Sequence, residues 1–160
     1  MTLLYDSLSG KIERIVALTI GSGSDLRSAV EEAVRKEDIR CGVIISGIGT
    51  LEKMVFTNMK SGAIPPEVSL VSIDGPMELL SLGGNISTEV KEQSGKAKES
   101  ISLHMHAWCS DKEGRVFGGS IGAGNIVWLQ VDVVIAEIGG LAFRRKANEK
   151  KMMRIVLEKQ

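Results

Sequence analysis

The sequence lacks the features that would place it in a membrane or a secretory pathway. No apolar run reaches the roughly 18 residues that a membrane-spanning helix needs. Residues 1–10 show no basic start followed by an apolar stretch, so we expect no secretory signal. We therefore expect a cytoplasmic protein with no membrane partner.

Cysteine and proline are also scarce. Cys41 and Cys109 are the two cysteines of the chain, and neither has a second cysteine at metal-motif spacing. Because free cysteine behaves as a small hydrophobic residue, we expect two reduced and buried thiols. The 160 residues, 43% of them hydrophobic, suffice for one domain with a core that needs no disulfide.

The chain has no net charge, since 20 basic residues balance 20 acidic ones. Nucleic-acid-binding proteins usually carry a basic excess, so the total argues against an unaided nucleic-acid binder. The charge is uneven, however, because residues 144–160 contain seven basic residues against two acidic ones. We divide the chain into a domain at residues 1–145 and a basic C-terminal tail at residues 146–160. The candidates for contacts with DNA phosphates are Arg144, Arg145, Lys146, Lys150 and Lys151.

Periodicity predicts one major helix and about eight strands. Apolar residues recur at helical spacing from residue 26 to residue 34, and Ser24 is the expected N-cap. Residues 88–100 are polar around Gly95 and predict a mobile hairpin loop. Short links predict an α+β fold, a mainly antiparallel sheet with the helix packed on one face. The strand-like runs are residues 11–20, 41–46, 51–59, 68–73, 77–87, 101–109, 115–121, 126–137 and 141–145.

Two of these strands have an apolar face and a polar face. Strand side chains alternate between faces, and the odd positions of residues 101–109 are all apolar. Exposed tryptophan beside polar groups is typical of a binding or subunit interface. If the strands lie close together, one surface gathers His104, His106 and Trp108 from the first and Trp128, Gln130 and Asp132 from the second.

The His-x-His pair on a strand is also a familiar metal-binding arrangement, because two imidazoles one pleat apart can reach one ion. A third ligand is needed, and Asp132 is the carboxylate that the polar face offers. The metal hypothesis therefore consists of His104, His106 and Asp132, and its alternative is a pair that is solvated or packed at an interface. No nucleophile–base pairing or phosphate-binding loop is visible in the sequence, which favours a non-catalytic protein.

Several motifs, in order, resemble the plant-and-prokaryote-conserved (PPC) family. Residues 23–26, 43–51 and 75–86 resemble the first part of the family's domain. The most specific piece is His104-Met-His106, followed by Asp-Lys-Glu-Gly-Arg-Val-Phe-Gly-Gly at residues 111–119. The likeness covers about residues 12–145. It implies a sheet-and-helix subunit assembled as a homotrimer, with a DNA-binding or regulatory role.

Two departures from the family pattern bear on that role. Plant relatives carry an Arg-Gly-Arg-Pro hook ahead of the domain, which these 160 residues do not contain, so only the basic tail could replace it. The alternative for the tail is a solvated end that keeps the trimer soluble. Prokaryotic relatives usually have a third histidine where this chain has Ser120, and serine is a poor zinc ligand.

The resemblance still leaves a second function open. Relatives often carry glutamate where Asp132 stands, so zinc at His104, His106 and Asp132 remains an alternative. The fold also looks related to the zinc-dependent acetolactate decarboxylases, whose metal is held by histidines. In this alternative the polar face is a small-molecule or metal site, enzymatic or not, at the subunit contacts.

Overall fold

The structure, a computed structural model, describes residues 5–93, 96–149 and 152–160. Within these residues lie one helix and eight strands, all joined in one sheet, which confirms the predicted α+β class. In chain order the elements are β1 (Lys11–Gly21), α1 (Leu26–Lys36), β2 (Gly42–Met59), β3 (Val68–Gln93), β4 (Lys96–Ser110), β5 (Val116–Ile121), β6 (Ile126–Gly139), β7 (Leu141–Ala147) and β8 (Met153–Lys159).

The strands are hydrogen-bonded in the order β1-β6-β2-β5-β4-β3-β7-β8, with an additional pairing between β2 and β3. Long β2 has three partners, because its first half pairs with β6, its last part pairs with β5, and β3 runs beside both parts. The strands β2, β3, β4 and β5 therefore close a small ring around the core. Among the described pairings only the short contact of β3 with β7 is parallel, so the prediction of a mainly antiparallel sheet is confirmed.

Two predicted breaks in the sheet do not occur. Residues 41–46 and 51–59 were expected to be separate strands, as were 68–73 and 77–87, but they form continuous β2 and β3. The glycines at the expected breaks are positions of close approach. A Cβ on Gly47 would lie 2.5 Å from the Cβ of Leu82, and one on Gly49 would overlap the backbone of β6. Glycine here lets neighbouring strands pack closely and does not interrupt the strand.

The prediction of a mobile loop at residues 88–100 is wrong. Strands β3 and β4 stay paired from Thr88↔Ile101 to Gln93↔Lys96, so the segment is the end of a long hairpin. Polar composition misled the prediction because this end of the hairpin extends beyond the apolar core. Gly95, the expected centre of the loop, lies outside the described residues.

Helix α1 begins one residue later than predicted, with Asp25 as N-cap in place of Ser24. Asp25 accepts a hydrogen bond from the Ser28 amide at 2.8 Å and others from the amides of Gly124 at 2.6 Å and Asn125 at 3.0 Å. Burial raises the pKa of this carboxyl, but these hydrogen bonds outweigh it and the pKa is lowered. One carboxylate thus caps the helix, typically worth about 1 kcal/mol, and fixes it to the turn before β6.

The helix packs its apolar side on the inner face of the sheet. Leu26, Val30 and Val34 are fully buried against the sheet residues of the core. Leu129 lies between Trp128 and Gln130, so strict alternation predicts it on the core face of β6, but it is 61% exposed. The register of β2 against β6 shifts between Gly49 and Leu51, beside Leu129, which explains the difference.

The last part of the chain forms a hairpin of β7 and β8, paired from Leu141↔Lys159 to Ala147↔Met153. Most of the segment described above as a basic tail is therefore the edge strand β8 and its connection. No described helix has the length and apolar character needed to span a membrane.

Candidate functional site

The two histidines lie on the outer surface of the ring. Leu103, Met105 and Ala107 of β4 are buried, whereas the alternate side chains between and after them are exposed. The register places Asn85 of β3 opposite His104, and Ser120 of β5 opposite His106. Directly opposite residues share a face of the sheet. We define the histidine face as the surface formed by Asn85, Ser102, His104, His106, Trp108 and Ser120.

The two imidazole rings converge at their outer nitrogens. The Nε2 atoms of His104 and His106 lie 3.1 Å apart, and the ring centroids lie 4.8 Å apart at an interplanar angle of 64°. At this distance one neutral ring can donate a hydrogen bond to the other. The same two nitrogens are close enough to share one ion, since zinc lies about 2.0–2.1 Å from an imidazole nitrogen. Both rings thus present a nitrogen at one point of the surface.

The electrostatic surroundings keep His104 uncharged. Burial lowers the pKa of His104 below its ordinary value of 6.5, and the nearby groups His106, Arg145 and Arg27 lower it further. Arg27 reaches β4 from the helix and donates hydrogen bonds to the carbonyls of Ile121 at 3.0 Å and Leu103 at 3.2 Å. His104 is therefore neutral at pH 7, the state in which an imidazole nitrogen accepts a hydrogen bond or binds a metal.

Ser120 stands where a third group could converge on the histidines. Opposite residues of an antiparallel pair have Cβ atoms about 4.5–5.5 Å apart, so Ser120 is a direct neighbour of His106. Its hydroxyl makes a long hydrogen bond, 3.5 Å, to the carbonyl of Met105. Beside it, a Cβ on Gly118 would lie 3.5 Å from Cδ2 of Trp108, so the indole lies across bare backbone.

The polar residues of β6 lie elsewhere on the sheet. Strands β2 and β3 separate β6 from β4, which at about 4.8 Å per strand puts Asp132 about 14 Å along the sheet from β4. Asp132 accepts hydrogen bonds from Thr19 at 2.9 Å and from the amide of Gln130 at 3.0 Å. Across residues 5–93, 96–149 and 152–160, no three His, Cys, Asp or Glu side chains are placed to hold a metal ion. One chain brings together His104 and His106 but not Asp132.

Trp128 lines a separate pocket of about 430 Å³ with Thr50, Glu78, Ser110 and the turn that follows β4. The two tryptophans are 60% exposed for Trp108 and 44% exposed for Trp128, so neither is covered within one chain. The polar surface that the alternation predicted as one cluster is thus divided into two, one on β4 and one on β6.

Two of the basic residues proposed for DNA contacts are engaged with carboxylates of the same chain. Arg144 pairs with Glu99, donates to the hydroxyl of Thr88, and places its Nε 3.5 Å from Glu158. Lys146 lies 2.6 Å from Glu158. Hydrogen bonding by Lys146, the strongest influence, lowers the pKa of Glu158. The positive charge at these two positions is largely compensated within the protein.

Arg145 points to the opposite side and joins the histidine face. Its Nη1 donates to the hydroxyl of Ser102 at 3.2 Å, while its Nε is buried without an acceptor. The side-chain oxygen Oδ1 of Asn85 is likewise buried without a partner among the described residues. Sequence reasoning missed this neighbour of the histidines, because the parallel contact of β7 with β3 that brings it there leaves no periodic signal. Lys150 and Lys151, the other two candidates, lie outside the described residues.

Both cysteines are buried and unpaired, as predicted. Burial, with a further contribution from Asp111, raises the pKa of the Cys109 thiol to about 11. A thiol in this state is protonated and inert at physiological pH. Neither cysteine therefore contributes to the histidine face.

Comparison with known proteins identifies a domain family. The family model described as "Plants and Prokaryotes Conserved (PCC) domain" matches residues 7–139, most of the chain. Among curated proteins, a "Bifunctional protein GlmU" of a Synechococcus species is 20% identical over 135 residues, which are 84% of this chain. The match covers 19% of that relative, so the chain corresponds to about a fifth of the length of the curated relatives it matches.

Solved structures share the fold. A metal-containing protein of Archaeoglobus fulgidus is 23% identical with a TM-score of 0.77, over 95% of this chain and 99% of the other. A candidate DNA-binding protein of Bacteroides thetaiotaomicron is 17% identical with a TM-score of 0.72, over 92% of this chain and 96% of the other. At these identities the likeness shows the fold alone.

Proposed function

The chain belongs to the Plants and Prokaryotes Conserved domain family, and from this premise we propose that it acts as a non-catalytic, homotrimeric binding module whose ligand site is the histidine face. The observation that carries the proposal is the convergence of the His104 and His106 Nε2 atoms, 3.1 Å apart on an exposed surface. Two accepting or donating nitrogens at one surface point form a binding element, but they need further groups to complete a site.

A trimer supplies what one chain lacks. Three large apolar residues are exposed on the outer surface of adjacent strands: Trp108 of β4 by 60%, Ile48 of β2 by 56% and Leu80 of β3 by 43%. A neighbouring copy that covers this surface buries the apolar groups and brings its own polar residues to the histidines. Asp132 of another copy remains the candidate third ligand if the face binds zinc.

The mass of the protein in solution tests the proposed assembly. Light scattering at micromolar concentration is expected to give three times the monomer mass. A monomer mass under these conditions would contradict the proposal, because the histidine face would then stay open to water. We further propose a cytoplasmic location, in keeping with two buried free thiols.

DNA binding is the second candidate function, supported by the description of the Bacteroides structural neighbour and by the basic residues of the β7–β8 hairpin. Compensation of Arg144 and Lys146 by carboxylates leaves Arg154 and Lys159, both exposed, with Lys150 and Lys151 as the bases for phosphate contacts. Binding through so few bases is expected to be weak, insensitive to DNA sequence and lost with rising salt.

Retention of the protein on a DNA column at 50 and 200 mM salt tests this second candidate. The quadruple variant Lys150→Gln, Lys151→Gln, Arg154→Gln and Lys159→Gln keeps β8 intact and is expected to abolish retention. Undiminished retention would exclude these four bases as the contact surface for DNA.

A further inference from the structure

Arg145 is a partly buried cation that forms no ion pair with any carboxylate among the described side chains. Its neighbour in sequence, Arg144, pairs with Glu99 and Glu158. Arg145 instead makes one hydrogen bond to the neutral hydroxyl of Ser102 and forms no ion pair with a carboxylate whose side chain the structure describes. Glu89, in register with Arg145 on β3, has an interaction of its own. A buried charge without a partner is costly, which indicates that a group from outside the chain compensates it.

The donors of Arg145 are also incompletely used. Its Nε is buried and meets no acceptor among the described residues, so one donor of the guanidinium is unsatisfied there. A rotation of the guanidinium towards the histidines would let it donate two parallel hydrogen bonds to one anion, the arrangement that arginine forms with carboxylates and phosphates.

The surrounding charges have the sign that favours an anion. Burial lowers the pKa of His104, and the cationic side chains of Arg145 and Arg27 lower it further. Arg27 is itself paired with Glu31 at 2.9 Å, which leaves Arg145 as the uncompensated charge of the cluster.

From these contacts we propose that the histidine face binds a small molecule through a carboxylate or phosphate group, which is held by the guanidinium of Arg145 beside His104. The inference rests on the proposed function, in which this face is the ligand site, and names the chemical class of the ligand. The anion replaces the missing counter-ion, and the imidazoles contact the part of the ligand next to it.

Titration with inorganic phosphate and, separately, with sodium acetate at constant ionic strength tests the proposal. We expect saturable changes of the backbone amide signals of Ser102, His104 and Arg145 in NMR spectra of the full chain. Comparison of the two anions distinguishes a phosphate ligand from a carboxylate ligand. Absence of saturable changes with both anions would overturn the inference.

Three variants locate the binding. Arg145→Gln is expected to weaken binding of the preferred anion at least about tenfold, the loss typical of a hydrogen bond to a charged group. Arg145→Lys keeps the positive charge but cannot donate two parallel hydrogen bonds, so its affinity for the anion should lie between those of the wild type and Arg145→Gln. Lys146→Gln removes one positive charge from the same strand and should change the affinity less than about twofold, since exposed charges contribute little. Equal affinity of Arg145→Gln and the wild type would overturn the proposal.

The same proteins separate this inference from the proposed function. If the wild type forms the trimer but binds neither anion, the anion site is wrong and the proposed binding module is unaffected. A monomer that binds phosphate through Arg145 would contradict the proposed trimer and support the anion site. Circular dichroism of each variant shows whether it is folded.

Discussion

The histidine face and the β7–β8 hairpin are the two surfaces that the sequence marks for function, and they use their polar groups in opposite ways. On the hairpin, Arg144 and Lys146 form ion pairs with Glu99 and Glu158, so much of its basic charge is neutralised within the chain. On the histidine face, Arg145 forms no ion pair with a described carboxylate, and the side-chain oxygen of Asn85 has no partner among the described residues. The number of basic residues in a segment therefore says less about binding than the number left without a partner.

The largest expected effect concerns the third group of the histidine face. Ser120→His would place an imidazole opposite His106. A residue that only orients a metal ligand changes metal affinity by up to about 100-fold, so a direct third ligand should raise zinc affinity at least about 100-fold. Isothermal titration calorimetry with zinc measures the change. We expect the wild type to bind zinc weakly or not at all.

The control for this prediction is Ser120→His in a His104→Ala background, which should bind zinc no better than the wild type. Tight stoichiometric zinc in the unmodified protein would refute the weak site and indicate Asp132 of another copy as the missing ligand. No gain from Ser120→His would show that the β4–β5 register does not bring the three side chains to one point.

A smaller effect is expected from breaking the charge compensation of the hairpin. Arg144→Ala removes one of the two arginine partners of Glu99, the other being Arg40, and a donor to Thr88, and should lower the free energy of unfolding by about 1–2 kcal/mol. Lys146→Ala, whose ion pair with Glu158 is more exposed, should cost less than about 0.5 kcal/mol. Urea denaturation measures both, and equal stability of the two variants would show that the Arg144 pairs are not structural.

The smallest effect is a difference in pH dependence. Because the pKa of folded His104 lies below its ordinary 6.5, the unfolded chain binds the proton more readily, and stability is lost as pH falls below about 6.5. The lowered pKa of Glu158 means that its contribution is present above its ordinary value of 4.5 and is lost only below it.

Acidification from pH 7.5 to 5.5 should therefore reduce the stability that depends on His104, whereas the contribution of Glu158 should stay unchanged. At one fixed protein concentration, the urea midpoint of His104→Gln should fall less than that of the wild type over this range. Lys146→Gln, as the control on the hairpin, should fall as much as the wild type. An identical fall for His104→Gln and the wild type would remove His104 from the pH dependence.

The parts of the structure that sequence predicted are those that depend on local periodicity. The alternation of β4 placed His104, His106 and Trp108 on the outer surface, and helical spacing located α1 within one residue of its start. Sequence could not show that β2 and β3 separate β4 from β6, because the order of strands depends on contacts between distant residues. For the same reason, sequence could not predict that Arg145 contacts Ser102, because this contact depends on the parallel pairing of β7 with β3.

Glycine was the least informative signal. Gly47, Gly49 and Gly75 lie in the gaps between the predicted strands, but a Cβ on each would overlap a neighbouring strand or its own turn. A glycine required for close packing and a glycine required for a turn look the same in a sequence. The distinction appears only once the partner strand is known.

The most direct test of the account is the mass in solution of a matched pair of variants, one on each surface. Trp108→Glu places a charge on the histidine face, and Lys146→Glu reverses a charge on the hairpin. We predict that light scattering gives a trimer for the wild type and for Lys146→Glu, and a monomer for folded Trp108→Glu. A wild-type monomer, or a trimer that survives Trp108→Glu and dissociates with Lys146→Glu, would contradict the claim that the histidine face lies at the subunit contacts.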